Sequence, residues 1–414
     1  MRVLYVVGAC LFKNTSANMS HNCYIQGLLE NNCDVDIIMS SDSWGQSDSA
    51  LPHWDKARYF VYKSVSKSDS IRKKFSNAEK TDFVASNGSN DENGCGSADR
   101  KVSLKGIVRS SVKKIFYSIF PRDPVYPLEA VWLKKASRFK NEATYDIVIS
   151  NSSPAASHKL VEILISKGNI KCDRWIQIWE DPWFFDLYGG HSELIKEEEH
   201  KLLQCASEVF YVSPLTLQYQ KKYYSDCADK MNYIPLPAMK YENEGTVKTS
   251  SSVTFGYFGD YYSVTRDLLP FYNAMCESNS CGYIFGDSDL KLNETENLKI
   301  GRRVTLEQLS NIQGRTDVLV HLCNLRGGQI PGKIYHYSLT NKPILFILDG
   351  TVEEQQEIKR FFEQFNRYFF CSNNKQSIIE AISYIKSIYA GYTAPSVDAF
   401  EPVNVVKKLL EHDC

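Results

Sequence analysis

Lys333 follows a run of residues suited to meeting an anion. Gly327, Gly328, Pro331 and Gly332 lie just before it, joining an apolar run at 317–323 to a stretch of helical character at 333–340. Lys342 and Pro343 then open a second apolar run at 344–348. Strand, glycine-rich turn, helix start and strand make a βαβ unit. Glycine lets backbone approach a ligand closely, a helix start offers unpaired N–H groups, and the lysine adds a full positive charge, so phosphate binding is the chemistry expected. A second pattern, Asp287-Ser288-Asp289, could grip a divalent cation through its two carboxylates. It also suits a polar turn after the apolar run at 282–285. With phosphate charge already met by Lys333, we expect the turn, no metal ion and no cofactor.

Such residues need a scaffold, and the chain is long enough for two. It has 414 residues, of which 43% are apolar and 23% charged, a size that suits two domains of about 150–200 residues each. A formal net charge of −1 gives no global basic field, so nucleic acid is not an expected partner. The 12 cysteines form no CxxC pair, and several lie in apolar runs where a thiol packs as a small hydrophobe. They read as reduced thiols of a cytoplasmic protein. The opening MRVLYVVGACLF lacks a cleavage region and reads better as a first strand than as a signal peptide. No apolar run approaches the roughly 20 residues of a membrane span.

Strands are expected at 3–7, 35–39, 58–62, 145–150, 175–179, 208–212 and 232–234, and a helix at 17–30. This alternation predicts a parallel sheet covered by helices. Residues 64–101 are too polar to offset the entropy of ordering and read as a mobile insertion. At 104–120 the apolar residues recur at helical spacing, and basic residues continue to position 140. Such a segment is either a core-facing helix or one that lies on an anionic membrane surface. Pro235 and Pro237 leave the first domain, and a polar linker is placed at 241–252. The second domain begins with a strand at 253–258, followed by strands at 282–285, 317–323 and 344–348. Helices are expected at 305–312, 353–365, 375–389 and 403–411.

The segment PGKIYHYSLTNKPIL resembles the nucleotide-sugar-binding segment of GT-B glycosyltransferases, especially the family 4 branch. Asp181-Pro182-Trp183 resembles a second family segment, although Glu180 stands where the family has arginine. The resemblance implies an α/β chain of GT-B type, with two Rossmann-like domains whose parallel sheets face each other across a cleft. It implies an acceptor domain at 1–240, a nucleotide-sugar-binding domain at 241–390, and a C-terminal segment at 391–414 crossing back to the first. By position, Gly256, Gly259, Arg266, Pro331, Gly332 and Lys333 would bind the donor diphosphate. Gly328 and His336 fall where the family's paired glutamates stand, so both carboxylates are missing. His158 and Asp181 would line the cleft from the acceptor side, as candidate bases should the reaction invert configuration; His158 reads equally well as a helix-surface residue.

The expected function is transfer of a sugar from a nucleotide-sugar donor to a glycan or lipid-linked acceptor. The family implies retention of configuration and a place in surface polysaccharide synthesis, with the protein cytoplasmic or peripheral on the inner membrane face. The missing glutamates leave two alternatives open: a catalytically silent protein of this fold that binds a glycan or a partner transferase, and a nucleotide-sugar epimerase.

Overall fold

The computed structural model describes residues 1–64, 123–187, 192–239, 253–326, 328–390 and 392–412. The expected insertion, the helix at 104–120 and the linker at 241–252 lie wholly or almost wholly outside these residues.

The first half is built on a sheet of seven parallel strands: β1 (Arg2–Val7), β3 (Asp34–Ser40), β5 (Arg58–Tyr62), β6 (Tyr145–Ser152), β7 (Cys172–Trp179), β8 (Glu208–Tyr211) and β9 (Met231–Tyr233). Their order is β5-β3-β1-β6-β7-β8-β9. Between them, β2 (Lys13–Asn14) and β4 (Gln46–Ser47) form a small antiparallel ribbon. The central strand shows why the run folds as it does. Val3, Tyr5 and Val7 pack beside Tyr24, Ile25 and Leu28, while Leu4 and Val6 pack with Trp132, Leu160 and Leu164 on the other face. A strand buried on both faces must be apolar throughout, and RVLYVV nearly is.

The second half carries six parallel strands: β10 (Thr254–Phe258), β11 (Cys281–Phe285), β12 (Leu298–Gly301), β13 (Val318–Leu322), β14 (Ile344–Leu348) and β15 (Tyr368–Ser372), in the order β12-β11-β10-β13-β14-β15. Two of these, β12 and β15, were not expected from the sequence. Both are edge strands, and β15 is only partly buried, so neither has a strong apolar run. In each sheet the chain order reverses beside the first strand of that half, at β1/β6 and at β10/β13. Ligands of open parallel sheets bind beyond the strand C-termini at such points.

The helix Pro402–Glu411 lies on the helix Ser16–Glu30 of the first half. The approach is close enough that a Cβ built on Gly27 would stand 2.2 Å from the carbonyl oxygen of Pro402. Arg174 donates to the carbonyl oxygens of Leu410 and His412, fixing the chain's end against β7. Among the described residues no helix is long and apolar enough to cross a membrane, and the ten described cysteines are free thiols.

Candidate functional site

A cavity of about 1300 Å³ opens between the C-terminal ends of the two sheets. Asp181 reaches it from the turn after β7. From the other half come Gly259 after β10, Arg266, and Pro331, Gly332, Lys333 and His336 around the turn before the helix Lys333–Ser338. The structure thus gathers most of the residues singled out in the sequence into one cleft.

The Lys333 amine makes no hydrogen bond or ion pair among the described residues. Burial lowers its pKa to about 8; the Asp260 carboxylate opposes that shift, and Arg303 and Arg266 reinforce it. Three cations therefore share one wall. Arg266 is held by its neighbours: Nε and one terminal nitrogen donate to Asn324 Oδ1 at 3.0 and 2.7 Å, and the other terminal nitrogen donates to the Asp260 carbonyl oxygen at 3.0 Å. Arg303 pairs with the Asp260 carboxylate and lies 5.6 Å from the centre of the Trp44 ring, which belongs to the first half. Gly259 stands where backbone meets the lysine, with a built Cβ 3.8 Å from the Lys333 stem.

The helix start itself contributes less than its sequence promises. That helix is six residues long, and the N–H groups of Ile334 and Tyr335 already donate to the carbonyl oxygens of Pro331 and Gly332 at 3.3 and 3.2 Å. Charge on the side chains is the main thing this wall offers an anion.

Three of the expected residues lie elsewhere. Gly256 is buried inside β10, where a Cβ would meet the Phe258 ring at 2.6 Å; its role is packing. Gly328 does not line the cavity. Its φ is +69°, a built Cβ would stand 2.7 Å from Leu215 Cβ, and its carbonyl oxygen accepts from Ser213 Oγ at 2.5 Å. His158 is fully buried beneath the cleft. Its Nδ1 lies 2.8 Å from Ser150 Oγ, its ring is 4.1 Å from that of Trp179, and burial lowers its pKa to about 3. It neither sits on a helix surface nor lines the cavity.

His336 does line the cavity. Burial and the nearby Lys333 lower its pKa to about 4, so it is neutral, and Nδ1 lies 3.5 Å from the Met239 carbonyl oxygen. The Asp287 and Asp289 side chains have separate duties. Asp289 accepts from the Ser263 N–H and hydroxyl at 2.9 and 2.6 Å, whereas Asp287 lies 3.8 Å from Arg303.

The sequence reading missed Gln329, Asn324, Asp260 and Arg303. Gln329 Nε2 donates to Asp181 Oδ1 at 2.5 Å and to Asp186 Oδ1 at 2.9 Å, joining the two halves at the cleft. Its carbonyl oxygen accepts from Asn324 at 3.1 Å, which links the bridge to Arg266. Asp181 is open to cleft water but closely walled by protein. That enclosure raises its pKa to about 6, Asp186 adds to the rise, and Gln329 opposes it. Glu180, at the end of β7, is raised well above the usual carboxylate range by burial and by Asp181. The one signal for Gln329 was its place beside Gly328. Arg303 follows a strand that the sequence did not reveal.

No protein-family profile matches the sequence, and no curated protein matches it. Solved structures match along nearly the whole chain. Alr3699/HepE from Anabaena, in complex with UDP, is 12% identical with a TM-score of 0.57, covering 99% of both chains. A glycosyltransferase from Rickettsia africae is 12% identical with a TM-score of 0.51, covering 99% of this chain and 97% of that one. The lipopolysaccharide outer core galactosyltransferase WaaB, in its apo form, is also 12% identical with a TM-score of 0.51, covering 99% and 98%. What is shared at such identity is the fold, two parallel sheets of GT-B type.

Proposed function

From this shared GT-B fold and the cleft it frames, we propose that the protein is a glycosyltransferase using a nucleotide-sugar donor. The observation that carries the reading is the position of Lys333. An amine with no hydrogen-bond or ion-pair partner among the described residues faces the cavity at the β10/β13 switch point, with Arg266 and Arg303 on the same wall. A departing nucleoside diphosphate gains negative charge in the transition state, and cations already fixed around it lower the barrier without having to reorganise.

The finer reading is a retaining transfer. The bond from the anomeric carbon to the diphosphate breaks, a bond to the acceptor oxygen forms on the same face, and the acceptor proton leaves with the diphosphate. Such a step requires no base from the protein. Were configuration inverted, Asp181 would be the base, since it lies in the cleft and His158 does not. The acceptor is a glycan or a lipid-linked sugar, and residues 104–140 would hold the protein on an anionic membrane surface during surface polysaccharide synthesis. Replacing Lys134 and Lys135 with Gln, together with Lys113 and Lys114, should then weaken binding to anionic vesicles and leave donor binding intact.

A second reading has an observation of its own. Where the family carries paired glutamates, His336 is neutral and Gly328 has no room for a side chain, which favours a protein that binds a glycan or a partner transferase without turnover. Incubation with UDP-sugars and other nucleotide sugars, with and without glycan acceptors, separates the readings. Transfer requires release of nucleoside diphosphate that depends on acceptor. Donor isomerisation without acceptor would mark an epimerase, and donor binding without turnover would mark the silent protein.

A further inference from the structure

The cavity is divided by charge. On the wall from the first half, every ionisable side chain among the described residues is acidic: Asp42, Glu129, Glu180 and Asp181. The opposite wall carries Arg266, Arg303 and Lys333 against the single carboxylate of Asp260. A donor diphosphate explains the basic wall. It does not explain the acidic one.

Lys13 neutralises Asp42 at 2.9 Å. Glu180, Asp181 and the adjacent Asp186 have no such partner among the described residues; a neutral amide, that of Gln329, serves both aspartates. Two acceptors on this wall are also left over. Glu180 Oε1 and Asn18 Oδ1 are shielded from solvent and meet no donor, and Asn18 is 1% exposed. Buried acceptors without donors are costly, and neighbouring carboxylates repel one another when ionised. Both features call for a ligand that is rich in donors and positive. An ammonium group has three donors, no acceptor and a positive charge.

We propose that Glu180 and Asp181 receive a protonated amine on the acceptor, so that the acceptor's terminal unit is an amino sugar or another amine-bearing alcohol. A phosphorylated or uronic acceptor would meet like charge on this wall. This deepens the glycosyltransferase reading and rests on it for the word acceptor.

The test uses the full chain at neutral pH, with methyl glucosaminide, methyl glucoside and methyl glucuronide as probes and binding followed by saturation-transfer NMR with competition. The glucosaminide should bind best and exceed the glucuronide by about tenfold. Glu180→Gln should shrink that ratio toward unity while UDP affinity, measured as a check on folding, stays the same. If that variant misfolds, the wild-type order decides alone. A glucuronide bound as well as the glucosaminide, or a glucosaminide that does not bind, overturns the proposal. UDP that fails to bind overturns the donor reading instead, and the order of the three glycosides remains measurable without it.

Discussion

Gln329 and Asp181 come from opposite halves of the molecule, and the amide of one donates to the carboxylate of the other at 2.5 Å. That bond joins the two halves across the cleft and opposes the rise in the Asp181 pKa that burial and Asp186 produce. In Gln329→Leu the bond that favours the charged carboxylate is gone, so the Asp181 pKa should rise from about 6. Carbon-13 NMR titration of aspartate side chains reads this directly, and an unmoved titration would show that the contact does not persist in solution.

The same carboxyl makes a prediction about stability. Its folded pKa, about 6, lies above the unfolded value of about 3.9. The folded state therefore holds the proton more tightly, and this contribution is fully present below pH ~4 and lost as pH rises through about 6. Because cleft water reaches the group, the effect should be about 1 kcal/mol or less. Urea titrations of wild type and Asp181→Asn across that window should diverge on the acid side and run parallel above pH ~7.

Lys333→Ala should lose about 2–4 kcal/mol of transition-state stabilisation, or about 30- to 1000-fold in kcat/KM. Since the free amine titrates near 8, UDP affinity in the wild type should fall as pH rises past that value, and in the variant it should not. Calorimetry at three pH values is sufficient. Near wild-type turnover in Lys333→Ala would remove the residue from the mechanism.

The two positions of the absent glutamates should respond differently. His336 faces the cavity, so His336→Glu places a carboxylate where a donor can reach it and should tighten nucleotide-sugar binding by about tenfold, the worth of one charge-assisted hydrogen bond. Gly328→Glu meets Leu215 Cβ at 2.7 Å with a φ of +69°, and should destabilise the fold by about 1–3 kcal/mol without improving binding. Equal behaviour of the two variants in calorimetry and thermal melting would contradict this geometry.

Chelation should leave activity unchanged. Asp289 is already engaged by Ser263, and Asp287 lies beside Arg303, so the two carboxylates have separate partners. Loss of turnover in EDTA, with recovery on adding manganese, would revive a metal site there.

Three buried histidines predict acid sensitivity. Burial lowers His21 to about 4 and His158 and His321 to about 3, and in the unfolded chain each titrates near 6.5. Their folded pKa values are depressed, so the stability they permit is present above pH ~6.5 and falls steadily as pH drops toward 3–4. Unfolding at pH 5 should take up about three protons from these side chains and about one more from His336, with about one fewer in His158→Gln. Calorimetry in buffers of different ionisation enthalpy counts them.

The sequence alone settled what depends on local pattern. Fully buried parallel strands must be apolar along their length, so β14 could be placed to the residue and the other central strands to within a few, while β5, a partly exposed edge strand, was marked by its aromatic and β-branched residues. Glycines before Lys333 marked the turn that brings it to the sheet edge. Tertiary structure decided everything that needed a neighbour from far along the chain. Helical spacing placed His158 near the start of a helix but could not say which face would be covered, and Ser150 and Trp179 cover it. Gly328 read as a ligand-side glycine because its partners, Leu215 and Ser213, lie more than a hundred residues earlier. The bridge from Gln329 to Asp181 spans 148 positions, and the Arg303 contact with Trp44 joins the two halves. No periodicity in a single segment records such pairs. They exist only once two sheets, each specified by its own apolar runs, have been packed with the C-terminal ends of their strands toward a shared cleft.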